Sequence, residues 1–481
     1  MAVSSLPGAP DKDLVNQIKR LEELFTIDTA TLKKITHHFV DELTRGLSVE
    51  GGSIPMNPTW VMSEPTGHET GEYLALDFGG TNLRVCQVTL KERNFDIIQS
   101  KWRIREELKT GVAEELWDFL ADCLHQFIET HHGPITNNTM DKIPLGFTFS
   151  YPATQNYIDE GTLQWWTKGF DIAGVEGHNV VPMFEAALRQ RGVPVKLIAL
   201  VNDTTGTLIA SAYANLHMKI GCIFGTGCNA AYIEDCGSIP KLAHLNLPSN
   251  TPMVINCEWG AFNHRTLPRT PYDTSIDKAS PRPGQQAFEK MVAGLYLGEI
   301  FRLIMVDLHS NPETHVFAGQ DMSKLQNPYS LDSSFLAAIE EDPTDNLSNT
   351  LELFQTQLNI SPNLPELQLI RRTAELIGTR AARLSACGVA AISIKKGYAS
   401  CHVGADGSVF QKYPHFKARG AQALREILDW PAKQDPGEED PIEILPAEDG
   451  SGVGAALIAA LTLRRVQEGN MHGILHPERF S

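Results

Sequence analysis

Three glycine-rich segments of the chain, 77–84, 224–229 and 449–454, could bring main-chain amides against a bound phosphate. Glycine lets the backbone approach a ligand closely, and successive free N–H groups bind phosphate oxygens. Glycines that open a helix add the helix dipole to such a site. Alone, the first segment is as typical of an ordinary hairpin turn and the third of a loop before a helix, while the second is more typical of a plain turn. The three together predict a nucleotide site, in which Asp77 at the end of a strand could hold Mg²⁺ through water.

A second group of residues could bind a hydroxyl-rich ligand. Ser150 and the adjacent residues Thr167 and Lys168 offer two hydroxyls and a cation close to aromatic side chains. Hydroxyls and ammonium groups are the donors and acceptors that a sugar needs. Trp165 and Trp166 are equally typical of hydrophobic packing, so the aromatic side chains alone do not decide between a sugar site and a core.

Carboxylates supply the third kind of candidate. Asp203 follows the apolar run 197–201 and stands where a helical pattern begins. Two interpretations are open: a helix N-cap, or a general base at the carboxyl end of a strand, where open α/β sheets bind their ligands. Glu258 and Glu289, taken singly, are typical of surface or capping carboxylates.

Other nucleotide-binding and metal-binding classes lack their motifs in this sequence. Residues 77–79 match the magnesium-binding tripeptide of protein kinases, but the chain has no H-R-D loop and no preceding G-x-G-x-x-G. It has no P-loop of the form G-x-x-x-x-G-K-[ST] either. The histidine pairs 37–38 and 131–132 have no partners at metal-ligand spacing. We therefore expect solvated histidines and no metal ion bound directly by the protein.

The composition is that of an acidic globular protein. Its 481 residues are 42% apolar and 21% charged, and 41 lysines and arginines against 58 aspartates and glutamates give a net charge of −17. This charge argues against nucleic acids and anionic membranes as partners, and no apolar run reaches the roughly 20 residues of a membrane helix. Eight scattered cysteines without a C-x-x-C pair, and no secretory pattern, predict reduced thiols and a cytoplasmic location.

The periodicity of apolar residues alternates between helical and extended, which predicts an α/β fold. Hairpins are expected around the first two glycine segments, the second echoing the first, and a third hairpin over 397–410. Strands are also expected at 143–149, 197–201 and 442–445. Helices are expected over 14–24, 29–46 (ended by Gly46), 113–129, 180–191, 204–214, 287–309, 366–395 and 453–465.

Together these motifs resemble those of the hexokinase family, in particular the single-unit fungal type. The resemblance extends from about residue 11 to the C-terminus. Residues Cys228, Ala230, Ala261 and Asn263 depart from those common in the family, and none of them is assigned to the chemistry. The segments that carry the resemblance are, in order, 77–84, 145–152, 166–171, 202–208, 221–229, 281–290 and 446–456.

The resemblance implies two ribonuclease-H-like domains of the actin-like ATPase type, separated by a ligand cleft. A small domain is expected over 66–202, with a return segment over 446–463. A large domain is expected over 203–445, together with N-terminal helices in 11–65 and the C-terminal residues 464–481.

The resemblance also implies the reaction: transfer of the γ-phosphoryl group of ATP to the 6-hydroxyl of glucose, fructose or mannose, the first step of glycolysis. Asp203 and Lys168 are the catalytic residues it implies, and Mg²⁺ is carried by ATP. The expected hexose site contains Ser150, Thr167, Lys168, Asn202, Asp203, Asn229, Glu258 and Glu289. The expected ATP site contains Asp77, Gly79, Gly80, Thr81, Asn82, Arg84, Gly225, Thr226 and Gly227, with Gly450, Ser451 and Gly452 at the adenosine.

Three alternatives stay open from the sequence. A sugar-sensing regulator without catalysis would not need the intact Asp203 and Lys168. An actin-like or heat-shock-type ATPase would share the glycine segments but not the sugar-binding residues. A glucose-restricted glucokinase would differ at 171–182 and 281–290, which look more like those of broad-substrate hexokinases. We expect a hexose as the substrate partner, no nucleic-acid or membrane partner, and a monomer or a homodimer.

Overall fold

The computed structural model describes residues 12–135, 142–311, 316–433, 435 and 437–480, and within them it confirms the α/β class. The expected chain limits at residues 11 and 481 lie outside this part. The strands are β1 (Asn57–Pro58), β2 (Gly71–Phe78), β3 (Asn82–Lys91), β4 (Asn94–Arg103), β5 (Ile143–Phe149), β6 (Ala153–Thr154), β7 (Thr162–Leu163), β8 (Val195–Val201), β9 (Met218–Phe224), β10 (Cys228–Asp235), β11 (Pro252–Asn256), β12 (Cys401–Asp406) and β13 (Ile442–Pro446).

Helices alternate with these strands along most of the described chain. The α-helices are α1 (Lys12–Phe25), α2 (Thr29–Ser48), α3 (Glu106–Lys109), α4 (Ala113–His132), α5 (Val180–Gln190), α6 (Asp203–Ala214), α7 (Pro271–Ala279), α8 (Glu289–Val292), α9 (Gly294–Ser310), α10 (Ser323–Gln326), α11 (Ser333–Glu340), α12 (Ser348–Leu353), α13 (Leu364–Lys396), α14 (Ser408–Lys412), α15 (Phe416–Ile427) and α16 (Ala455–Gln467). Shorter 3₁₀ and π turns lie at Cys236–Ser238, Pro240–Leu245, Trp259–Ala261, Phe354–Leu358, Gly450–Gly454 and Pro477–Phe480.

A five-stranded sheet, in the order β4-β3-β2-β5-β8, forms one half of the molecule. Strands β2, β5 and β8 are parallel, so their carboxyl ends meet at one edge of the sheet. Asp77 pairs with Arg84 on β3 and with Thr148 on β5. Helix α16 packs on this sheet, in contact with β2, β5 and β8.

A six-stranded sheet, in the order β1-β11-β10-β9-β12-β13, forms the other half. Strands β9, β10 and β11 are antiparallel, while β12 runs parallel to β9 and to β13. The chain leaves the first sheet at β8 and reaches the second through α6. The expected boundary between residues 202 and 203 therefore falls between the two sheets, and the domain limits themselves stay a prediction.

Hairpins around the first two glycine segments are confirmed, because β2 pairs with β3 and β9 with β10, both antiparallel. The third expected hairpin is wrong. Strand β12 pairs with β9 and β13 instead, and residues 408–412 form a helix. Gly407, with φ of 108°, turns the chain between strand and helix, and the buried Val409 and Phe410 face the core.

One expected helix end and one expected continuous helix are also wrong. Gly46 does not end α2, which continues to Ser48; a Cβ at Gly46 would lie 2.2 Å from the carbonyl oxygen of Ile54, so this glycine permits close packing. The long helix expected over 287–309 is broken at Ala293, which is extended at ψ of 146°. The break allows Gly294 N–H to donate to the carbonyl of Gly225, 2.8 Å away, and so brings the start of α9 against the second glycine segment.

Helix α6 and the turn Gly450–Gly454 cross at backbone contact. A Cβ at Gly206 would lie 2.2 Å from the carbonyl oxygen of Gly450, and one at Gly454 would lie 2.3 Å from that of Gly206. A Cβ at Gly450 would lie 2.3 Å from Thr207 Oγ1. Only glycine fits these positions, because L side chains would overlap the facing main chain.

The core consists of two clusters of buried apolar side chains: the smaller belongs to the five-stranded sheet, and the larger covers the six-stranded side and also includes Ala75, Cys86 and Ala199 of the five-stranded sheet. Phe147, Phe149 and Trp166 belong to the cluster of the five-stranded sheet, while Phe224 and Phe288 belong to the larger cluster. All eight cysteines are buried and unpaired. Within the described residues, no helix is both long and apolar enough to cross a bilayer.

Candidate active site

The carboxyl edge of the five-stranded sheet gathers several of the expected site residues. Asp77 lies near the end of β2, Ser150 follows β5, and Asn202 follows β8. The N–H of Ser150 donates to the carbonyl of Phe78, 3.4 Å away, which joins two of these strand ends. The predicted location of the ligand, at the carboxyl ends of parallel strands, agrees with this arrangement.

Asn202, and not Asp203, is the N-cap of α6. The Asn202 side chain accepts the N–H of Thr204 at 2.9 Å. Asp203 is the first residue of the helix, and its Oδ1 accepts from the N–H and the hydroxyl of Thr204 at 2.7 and 3.1 Å. Burial raises the pKa of both Asp77 and Glu258, and the charge of the nearby Asp203 raises both further. Asp203 therefore lies near both of these carboxylates.

Lys168 sits at the tip of a tight left-handed turn. Lys168 and Gly169 have φ of 59° and 83°, and the N–H of Phe170 closes the turn on the carbonyl of Thr167 at 3.1 Å. The ammonium donates to the carbonyl of Ser150 at 2.6 Å. A Cβ added at Gly80 would lie 3.0 Å from the Lys168 side chain, so this lysine covers the first glycine segment.

Aromatic side chains pack against this turn. The Tyr151 hydroxyl donates to the carbonyl of Gly79 at 2.8 Å, and the Lys168 ammonium lies 5.1 Å from the centre of the Tyr151 ring. Trp166 is buried and stacks on Phe170 with ring centres 5.4 Å apart. Of the two interpretations of the tryptophans, packing is therefore correct for Trp166.

Three polar side chains on the six-stranded side form a closed network. The Asn229 amide donates to Asn256 at 2.7 Å and to Glu258 Oε1 at 3.2 Å, while the Asn256 amide donates to the same Oε1 at 2.9 Å. The side-chain oxygen Oδ1 of Asn229 accepts the N–H of Glu258 at 2.9 Å. Glu258 has φ of 56°, a left-handed conformation unusual outside glycine, which the network holds in place.

Glu289 begins α8 and lies against the second glycine segment. Its Oε2 accepts the N–H of Cys228 at 2.9 Å, and a Cβ at Gly227 would lie 2.7 Å from that oxygen. Burial, and then the nearby charge of Glu258, raise the pKa of Glu289 to about 7, against the opposing effect of Lys168. Burial likewise raises the pKa of Glu258. Both carboxylates are thus half-buried next to other expected site residues, contrary to their interpretation as surface groups, and their role in the site stays a prediction.

Arg84 joins the first glycine segment to the third. Its guanidinium forms a bidentate ion pair with Asp449, at 2.5 and 2.7 Å, and also contacts Asp77 at 3.3 Å. Despite Arg84, burial and the charges of Asp203 and Asp449 raise the pKa of Asp77 to about 6. Asp77 and Asp449 thus share one guanidinium while Asp203 lies nearby, and this excess of negative charge favours a further cation beside Asp77.

The turns of the glycine segments differ in how open they are. Thr81, Asn82 and Thr226 are exposed at the tips of their hairpins, where a ligand can reach them. Gly225 closes its own turn by donating to the carbonyl of Gly227 at 3.0 Å. The glycines of the third segment serve the crossing with α6, and the role of Gly450, Ser451 and Gly452 at an adenosine stays a prediction.

Asn256 and Asp449 lie beside the expected site residues, and sequence reasoning assigned neither of them a role. Asn256 stands two residues before Glu258 at the end of a strand, which was a usable signal. Asp449 is the first residue of the third glycine segment, and its carboxylate accepts the N–H of Gly452 at 2.9 Å. Among the residues that the structure describes, no cluster of three or more His, Cys, Asp or Glu side chains is arranged to hold a metal ion.

Comparison with families of known proteins gives two consecutive matches. Models described as hexokinase match residues 17–213 and residues 219–461. The two matches meet near the end of α6, between the two sheets.

Individual relatives are similar over nearly the whole chain. A hexokinase of Emericella nidulans is 66% identical over 467 residues, which are 96% of this chain and 94% of the relative. Hexokinase-1 of Saccharomyces cerevisiae is 52% identical, with 96% of each chain covered. A glucokinase of Aspergillus niger is 37% identical, with 93% and 97% covered.

Solved structures show the same architecture. A hexokinase from Schistosoma mansoni, in complex with glucose, superposes with a TM-score of 0.82 at 35% sequence identity. The alignment covers 93% of this chain and 99% of that one.

Proposed function

The chain belongs to the hexokinase family, as the two family models and the 66% identical relative show, and from this premise we propose how its residues carry out the reaction. It is an ATP-dependent hexokinase with the two-domain, actin-like ATPase fold, and it transfers the γ-phosphoryl group to the 6-hydroxyl of a hexose. The observation that carries our proposal is the convergence of Lys168 from one side of the molecule with Glu258 and Glu289 from the other, beside Asp203.

The hexose is bound mainly by the six-stranded side. Asn229, Asn256 and Glu258 are already hydrogen-bonded to each other, so they offer fixed acceptors and donors to the ring hydroxyls. A buried polar group left without a partner costs about 1–3 kcal/mol, so a sugar that lacks a matching hydroxyl is rejected. Ser150 and Thr167 complete the site from the five-stranded side.

Asp203 acts as the general base. A primary hydroxyl is a very weak acid, and a carboxylate that accepts its proton as the phosphorus–oxygen bond forms is typically worth 10²–10⁴ in rate. The fixed contacts of Asp203 Oδ1 with Thr204 orient the carboxylate. Because Asn202 caps the helix, the side chain of Asp203 is not needed as the N-cap.

Lys168 and the main-chain amides of the glycine segments stabilise the transferred phosphoryl group. The ammonium lies on Gly80 and is held by the carbonyl of Ser150, so it joins the sugar side of the cleft to the first phosphate segment. Cations and amides that are already in place act where charge is redistributed, without reorganising during the step. Thr226, exposed at the second hairpin tip, supplies a hydroxyl at the other wall.

The residues present fit Mg²⁺ delivered with ATP. Asp77 is half-buried near Asp203 and Asp449, and the Arg84 guanidinium offsets only part of this negative charge, so a cation is favoured at this position. Bound there, Mg²⁺ would neutralise phosphate charge. Asp77 would hold it through water, and the remaining ligands would come from ATP.

Closure of the cleft excludes water, which competes with the hexose for the phosphoryl group. We expect sugar binding to bring Lys168 and the two glutamates together, since opposite charges attract across the cleft. A decrease in the radius of gyration on saturation with glucose, measured by small-angle X-ray scattering, tests this; an unchanged value would contradict closure.

Glucose, fructose and mannose are the substrates we propose. The glucose in the Schistosoma structure supports the first, and the higher identity to hexokinases than to the glucokinase supports the wider range over a glucose-restricted enzyme. A coupled assay with ATP, Mg²⁺ and glucose, fructose, mannose or galactose tests the range. Turnover of glucose alone would support the glucokinase alternative, and no turnover at all would support the sugar-sensing regulator. The cytoplasmic location and the monomer or homodimer stay predictions.

A further inference from the structure

One contact joins the two sides of the cleft next to the sugar-binding residues. The guanidinium carbon of Arg282 lies 4.4 Å from the centre of the Trp165 ring. Trp165 lies between β7 and the turn that carries Lys168, and its neighbour Trp166 is buried in the core of the five-stranded sheet. Arg282 lies between α7 and α8. Phe288, the residue directly before α8, belongs to the larger hydrophobic cluster. The two partners therefore belong to different halves of the molecule.

The segment that presents Arg282 is rigidly built. The buried ammonium of Lys290 donates to the Arg282 carbonyl at 3.0 Å, to Asp277 at 2.7 Å and to Ser280 at 2.8 Å. Asp277 also accepts the N–H of Gly284 at 3.0 Å. This segment leads directly into Glu289, so the position of Arg282 is fixed relative to the sugar-binding carboxylate.

Trp165 is coupled as closely to the opposite wall. The next residue, Trp166, donates its N–H to Glu176 at 2.6 Å and its indole N–H to the carbonyl of Ile172 at 3.1 Å. Lys168 follows two residues later in its left-handed turn. A displacement of Trp165 is therefore expected to displace the turn that carries Lys168.

We propose that Arg282 and Trp165 are positioning residues, whose contact across the cleft holds the Lys168 turn against the Glu289 wall when sugar is bound. The proposal rests on the hexokinase function and on closure of the cleft. Arg282 is exposed and Trp165 half-buried, so the contact is of the modest strength that cation–π pairs have near solvent. It acts on sugar affinity and leaves the proton transfer itself unchanged.

A double-mutant cycle tests the pair. Trp165→Ala and Arg282→Ala should each raise the dissociation constant and the KM for glucose about two- to fivefold, with kcat at saturating sugar changed less than twofold. The double variant should resemble the single ones, because both remove the same contact. Trp165→Phe, which retains an aromatic face, should restore most of the affinity.

Lys417→Ala is the matched control. Lys417 lies 4.6 Å from the centre of the Phe410 ring, but both residues belong to the six-stranded side, so glucose affinity should not change. Effects of the two cleft substitutions that multiply in the double variant, or unchanged glucose affinity in both single variants, would overturn the proposal. Wild-type turnover of glucose in the same assay separates this outcome from failure of the hexokinase function.

Discussion

The two walls of the cleft are built in opposite ways. On the six-stranded side, the buried Asn229 and Asn256 and the half-buried Glu258 are hydrogen-bonded to one another. On the five-stranded side, Thr167 and Lys168 stand on a turn whose tip is exposed. The six-stranded wall is held by its own hydrogen bonds, whereas the five-stranded wall presents the charge of Lys168 from an exposed turn.

Because of this difference, we expect the six-stranded wall to select the substrate and the five-stranded wall to contribute to the chemistry. A network with its hydrogen bonds already made loses little conformational freedom when sugar binds, so it is suited to selecting the substrate. A projecting cation is suited to arrive with closure, because it completes the catalytic group only when the correct ligand is present. Substitutions on the two walls should therefore affect different kinetic constants.

Asp203 lies between the walls, and its loss should give the largest effect. Asp203→Ala should lower kcat by about 10²–10⁴ while glucose still binds, because the base acts on the proton and the walls stay intact. Turnover in the coupled assay and glucose binding by calorimetry measure the two quantities. A variant that keeps more than a tenth of the wild-type turnover would show that Asp203 is not the base.

One substitution on each wall compares them directly. Glu258→Gln should raise the glucose KM about 10- to 100-fold with a smaller change in kcat, since it disrupts a charged acceptor in the fixed network. Lys168→Met should lower kcat by a similar factor with a smaller change in glucose affinity. Steady-state kinetics with calorimetry separates the constants; the same pattern in both variants would mean that the walls do not differ in role.

Alanine substitutions in the first and third glycine segments should affect different properties, ATP binding in the first segment and stability in the third. Gly450→Ala should reduce the free energy of unfolding by about 1–3 kcal/mol, because its Cβ would overlap Thr207. A Cβ at Gly79 would lie 3.7 Å from the carbonyl oxygen of Asn82, which is ordinary contact. Gly79→Ala should therefore change stability by less than about 0.5 kcal/mol, while raising the KM for ATP. Chemical denaturation measures both; equal destabilisation would contradict the distinction between packing and ligand binding.

In the absence of sugar, the stability of the protein should depend on pH through Glu289 of the six-stranded wall. The pKa of Glu289 is raised from 4.5 to about 7, so between these values the folded protein binds more protons than the unfolded chain. The free energy of unfolding should therefore fall as pH rises through this range, by at most about 1.4 kcal/mol per pH unit. Glu289→Gln should remove this contribution, and denaturation from pH 5 to pH 8 measures it. An identical slope in the variant would place the pKa of Glu289 near its ordinary value.

Sequence patterns predicted the elements that depend on local features. The hairpins at the first two glycine segments and the start of α6 follow from glycine, strand alternation and capping, all within a few residues. The break at Ala293 could not be predicted, since its cause is the carbonyl of Gly225, almost 70 residues earlier. Local patterns therefore located the elements but not their long-range contacts.

The candidate site shows the same limit. The motifs pointed to Glu258 and Glu289, yet read singly these carboxylates looked like surface groups, because burial depends on the facing elements. The packing role of Gly450 was also hidden, since its partner Gly206 lies on a distant helix. Asn256 and Asp449 act through partners that only the folded chain brings near.

The buried cysteines give the molecule built-in chemical probes of its motions. Burial raises the pKa of Cys86 and of Cys123 to about 12 and that of Cys228 well above its ordinary value, so none is an activated thiolate in the folded state. Cys228 lies directly behind Glu289, and Cys86 lies beside Gly452. An alkylating reagent can therefore modify these thiols only when the surrounding structure opens, and the rates of labelling would time such openings at two separate places around the cleft.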